Sequence, residues 1–153
     1  MAGRIMLVVA MLLGFLSSAD DPFSGTWILN LSKSKIPPPV PVPKSQIARV
    51  IVVVSEIEIT EEVVNDSGER LTIHVKAKFD GKDYPITGTP SADTVAYQRV
   101  DRNTIKGVGK KSGKVIMHET VVVSPDGKRM TSTYSGTDAT GKPVTAIAVF
   151  EKK

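Results

Sequence analysis

The chain has 153 residues, no cysteine and a formal charge of +4, so it must be held together by its core without a disulfide framework. Its lysines are scattered, not gathered into a stripe, and four Phe, three Tyr and one Trp leave few aromatics to stack on bases, which argues against a nucleic-acid-binding surface.

Residues 1–19 read as an export signal. Arg4 supplies the positive start, residues 5–16 an apolar run, and Ser17 and Ala19 the small residues before a cleavage site. The run falls short of the ~20 apolar residues that span a bilayer. The expectation is therefore cleavage after Ala19, no membrane span, and a secreted or periplasmic protein. Residues 20–153 would then form a single domain, and about 134 residues suffice to bury one core.

The first predicted strand, 25–31, opens with Gly25-Thr26-Trp27, where the only tryptophan follows a glycine by two positions. A proline-rich connection, "SKIPPPVPVPKS" from Ser34 to Ser45, favours an extended path without ladder donors and is expected to run across one end of the fold as a strap or lid. Strands follow over 46–54, 57–64 and 70–79. In the last, Leu71, Ile73, Val75, Ala77 and Phe79 alternate with Thr72, His74, Lys76 and Lys78, the period of a strand with one packed and one wet face. Further strands are expected over 84–87, 94–100 and 104–110. Gly-Lys steps at Gly113, Gly127 and Gly141, each fourteen residues from the last, then mark hairpin turns between strands at 114–123, 129–136 and 143–151.

No sustained helical period appears and β-branched residues dominate, so the fold class is all-β: an antiparallel up-and-down meander of about ten strands. An open meander of that length leaves two reactive edges, and closure into a barrel removes them. A Greek-key sandwich would need long crossovers that the C-terminal half does not contain.

The Gly25-x-Trp27 signature near the mature N-terminus resembles that of the lipocalin and fatty-acid-binding (calycin) families, whose tryptophan plugs the closed end of a barrel. Phe23 to Trp27 and the closing "VFEK" at Val149 extend the likeness. Still closer is a resemblance to small exported bacterial proteins of unassigned function, carried by "GTW", "AKFDGKDYP" and the final strand. The calycin resemblance implies a lipocalin-like barrel with an internal ligand. The chain departs from the pattern in several respects: it has no counterpart of the lipocalin Thr-Asp-Tyr turn, no arginine in the final strand to pack across the tryptophan, no Arg-x-Tyr pair of the kind that holds a carboxylate in fatty-acid-binding proteins, and a proline segment in place of their helical lid.

No catalytic or metal-binding constellation is present. The two histidines, His74 and His118, lack near partners, and no serine stands in a Gly-x-Ser-x-Gly turn. Asp80, Asp83, Asp126 and Asp138 flank turn glycines, where aspartate caps the local backbone. No cofactor is implied, and enzymatic activity is not indicated. In "TVAYQRV", period two puts Val95, Tyr97 and Arg99 on one face; if that face points inward, Arg99 and Tyr97 would hold a ligand carboxylate. The opposite face could equally be the buried one. The leading expectation is a barrel that binds a small apolar or acidic, lipid-like ligand. The alternative is a ligand-free structural or protein-interaction module of the cell envelope.

Overall fold

A computed structural model describes residues 20–153, and the export signal expected at residues 1–19 lies outside them. Ten antiparallel strands run in chain order: β1 (Gly25–Leu29), β2 (Ser45–Val53), β3 (Glu56–Val64), β4 (Arg70–Lys78), β5 (Tyr84–Thr87), β6 (Thr94–Asp101), β7 (Thr104–Lys111), β8 (Lys114–Val123), β9 (Arg129–Thr137) and β10 (Pro143–Lys152). Each pairs with its neighbour in sequence, including β1 with β2 despite the Ser34–Ser45 connection between them. The ring closes where β1 meets β10 through Trp27–Lys152, Ile28–Glu151 and Leu29–Phe150. The all-β, up-and-down barrel expected from the period-two pattern is thus the fold, and it leaves no free strand edge.

The core is concentrated at one end. The start of β1, the ends of β2, β4, β6, β8 and β10, and the starts of β3, β7 and β9 converge there, and with Phe23 they contribute Trp27, Ile105, Val123 and Phe150, all almost wholly buried. Trp27 is fully buried, and its indole Nε1 donates to the Phe23 carbonyl at 2.8 Å. One rigid side chain fills the tapering base and satisfies its only donor there. Gly25 has φ +139°, and a Cβ at that position would lie 2.9 Å from Lys152 Cε. The glycine lets the lysine stem cross the base so that Nζ stands 4.9 Å from the Trp27 ring centroid. A lysine of β10 therefore occupies the place for which the sequence offered no arginine.

Two expectations need correction. β1 stops at Leu29, not residue 31, because Asn30 turns the chain into a single 3-10 turn (Leu31–Lys33), its side-chain oxygen accepting from Lys33 N at 3.2 Å. The proline segment does not lid the barrel. Lys35 exchanges two 2.7 Å backbone bonds with Ile147 of β10, and Lys44 N reaches Val64 O at 2.8 Å, so the segment skirts the rim from β10 to β3. Three of the four aspartates beside the turns behave as expected: Asp80 accepts from Lys82 N, Asp126 from Lys128 N and Asp138 from Lys142 N, whereas Asp83 accepts from Lys110 Nζ of β7 at 2.9 Å. No helix among the described residues is long and apolar enough to cross a membrane.

Candidate functional site

Towards the other end, where side chains no longer meet across the axis, the barrel encloses a cavity of about 240 Å³. Its walls are mainly apolar, with Val50, Ile73, Val75, Ile86 and Phe150 among them, and Phe23 forms part of its floor. At the open end the β5–β6 loop leans over the lumen, contributing Thr89, Ser91 and Ala92. Asp93 anchors that loop, binding Lys111 Nζ and Ser112 N at 2.7 Å each.

Small residues create the space. Tyr97 of β6, Gly107 of β7, Glu119 of β8, Tyr134 of β9 and Ala146 of β10 are successive partners in the strand register, and all five point inward. A Cβ on Gly107 would sit 3.0 Å from Tyr97 Cε1 and 3.3 Å from Glu119 Oε2. Because Gly107 is bare, the phenol ring and the carboxylate converge over it, and any larger residue would push one of them away.

Glu61 of β3 enters the cavity from the opposite wall. β3 and β8 lie five strands apart by either route round the ring, so Glu61 and Glu119 face one another across the lumen. Gln46 Nε2 of β2 donates to Glu61 Oε2 at 3.0 Å. Desolvation raises the Glu61 pKa, and the Gln46 bond only partly offsets it. Glu119 is raised to about 7, first by desolvation and then by the charge of Glu61, against the opposing pull of the Tyr134 and Ser132 hydroxyls directed at it. Burial holds the Tyr97 and Tyr134 phenols well above the usual tyrosine range, so both are neutral. Among the described residues, no Lys, Arg or His lines the cavity.

The β6 face named from the sequence does point inward, and it divides its two polar residues. Tyr97 is 7% exposed and lines the cavity. Arg99, two residues nearer the closed end, does not line it. Its guanidinium stacks between the rings of Phe23 and Phe79, 5.2 and 5.4 Å from their centroids. Nη1 donates to Asp21 Oδ2 at 2.6 Å, and Nε and Nη2 donate to the carbonyls of Asp101 and Arg102. With side chains 20% and 21% exposed, the Arg99–Asp21 pair pins the N-terminal segment beneath the cavity floor. Gly25 and Trp27 lie at the base of the barrel. The histidines face outward; His74 meets Glu58 at 3.1 Å.

Neither Glu61 nor Glu119 was expected in the lumen from the sequence, which offered Glu119 only as a surface partner for Arg99, though a signal existed. Each continues an inward series, Ile57, Ile59, Glu61 on β3 and Met117, Glu119, Val121 on β8. The series was obscured because Glu56, Glu58 and Glu62 crowd the outer face of β3, while Val122 makes the outer face of β8 look buried.

A closed antiparallel ten-strand barrel with a plugged base and an internal cavity is consistent with the calycin architecture. The sequence matches no protein-family model and no curated protein.

Proposed function

We propose that this protein is an exported, calycin-like barrel that binds a small, largely apolar molecule in its lumen, in the periplasm or outside the cell. The observation that carries the reading is the cavity of about 240 Å³ inside a barrel whose other end is densely filled. Concave, mostly apolar spaces with a few convergent polar groups are the usual form of ligand sites. The space lies below the ~300–1,000 Å³ of drug-sized ligand pockets, which suits a short-chain molecule better than a long fatty acid. Two acidic side chains in the wall weigh against the acidic ligand considered from the sequence, because like charges in a poorly solvated space repel. A second reading, an interaction module of the envelope, draws support from Ile51, Val53 and Val54, which stand exposed at the β2–β3 tip.

Mass spectrometry of organic extracts of the protein purified from its native source tests the two. The binding reading expects a stoichiometric small molecule, lost from an Ile86→Trp variant whose indole fills the lumen. An empty native protein that also fails to bind short alcohols in calorimetry would favour the interaction module.

A further inference from the structure

Among the described residues, the lumen holds two carboxylates and no cation to balance them. Buried carboxylates are normally paired, because transfer from water of an isolated ionised group is expensive. Glu61 has one neutral partner, Gln46. Glu119 has the neutral hydroxyls of Tyr134 and Ser132 directed at it. The nearest interior cation, Arg99, is already engaged by Asp21 and two carbonyls below the floor. A second group stands in the same space: the Tyr97 phenol, on a side chain more than nine-tenths buried, and among the described residues no hydrogen bond contributes to the shift of its pKa. It lines the cavity on the same register rung as Glu119.

We infer that the ligand is a small primary amine with a short apolar tail, its ammonium held by the Glu61 and Glu119 carboxylates and by the Tyr97 phenol oxygen, its tail among Ile73, Val75, Ile86 and Phe150. This rests on the proposal that the lumen binds a ligand and adds the ligand's chemical class. An ammonium has three donors, and the two walls and the β6 rung present three oxygen-bearing groups to meet them. Its charge replaces the missing counter-ion, and charge-assisted bonds in a dry space are stronger than neutral ones. The remaining walls are apolar, so the rest of the molecule need only fill space.

The groups facing the ammonium decide its pH dependence. β3 presents Glu61, β8 Glu119, β6 Tyr97, and β9 Tyr134 and Ser132, whereas β4, β5 and β10 present apolar residues there. Of these only the two glutamates titrate below the range of an aliphatic amine. Protonating them removes the attraction, so affinity should fall from pH 8 to pH 5.

Calorimetric titration of the mature protein with octylamine, octan-1-ol and octanoate, which share a tail, tests the inference. At pH 8 octylamine should bind at least tenfold more tightly than octan-1-ol, octanoate least, and the amine should weaken at least tenfold at pH 5 while the alcohol changes less than twofold. Glu119→Gln and, separately, Glu61→Gln should each weaken the amine about tenfold and leave the alcohol unchanged; the wild-type series stands even if one variant fails to fold. Equal affinities for amine and alcohol, or octanoate binding most tightly, would overturn the amine assignment while leaving a binding barrel. Failure of all three ligands to bind at either pH would overturn the binding reading as well.

Discussion

Glu119 stands buried in the lumen with no cationic partner among the described residues. Its carboxyl is raised from the usual 4.5 to about 7, so between those values the folded protein keeps a proton that the unfolded chain has released. Stability therefore falls as pH rises from about 4.5 to 7 and levels off above it. The contribution is on the order of 2 kcal/mol, from about 1.4 kcal/mol for each pKa unit discounted for relaxation of the pair. Glu61 adds to the slope with the same sign, since its pKa is also raised. Urea unfolding at pH 5 and pH 8 should show the wild-type protein more stable at pH 5, and Glu119→Gln should remove most of the difference. A variant as pH-sensitive as the wild type would place the titrating group elsewhere.

Among the elements, the β2–β3 hairpin is the one whose turn puts a β-branched residue in the left-handed region. Gly68, Gly113, Gly127 and Gly141 supply positive φ at other turns, whereas here Val54 takes φ +55° with a side chain 95% exposed. A β-branched residue in the left-handed region is strained by roughly 1 kcal/mol, and nothing packs on the side chain to offset it. Val54→Asn should raise the unfolding free energy by about 1 kcal/mol in urea titration without altering the lumen. β5 is unusual in another way. It spans only Tyr84–Thr87 and pairs through two positions with each neighbour, so the barrel wall is thinnest beside the Ile86 lining and under the β5–β6 loop.

For the whole molecule, closure and plugging are one problem. β1 has five residues and holds β2 and β10 together, and Trp27 sits in its middle, paired in register with Ala48 on one side and Lys152 on the other. Removing the indole would empty the base, free the Phe23 carbonyl and weaken the short strand that completes the ring. Trp27→Ala should cost about 3–5 kcal/mol by denaturant unfolding, as for other large-to-small core changes. A loss below about 1 kcal/mol would mean that the base can collapse without its plug, and that the ring is closed chiefly by backbone pairing.

Alternation and turn residues carried most of the architecture. Leu71 to Phe79 face inward as their period requires, and the Gly-Lys turns at Gly113, Gly127 and Gly141 bound the strands of the C-terminal meander. Both are local signals: a pleated chain sends alternate side chains to opposite faces whatever its neighbours, and positive φ selects glycine within a few residues. The place of the proline segment was not legible, because an extended chain without ladder donors takes whatever course its end contacts impose, here Lys35 with Ile147 and Lys44 with Val64. Nor was the separation of Tyr97 from Arg99, two neighbours on one face that stand at different depths, one beside a cavity and the other between two phenyl rings. Above all, Glu61 and Glu119 lie 58 positions apart in the chain and confront each other only because ten strands close a ring that sets β3 opposite β8. Period two assigns a side chain to a face, but depth along a barrel and the partner across it depend on register and closure, which are properties of the assembled sheet.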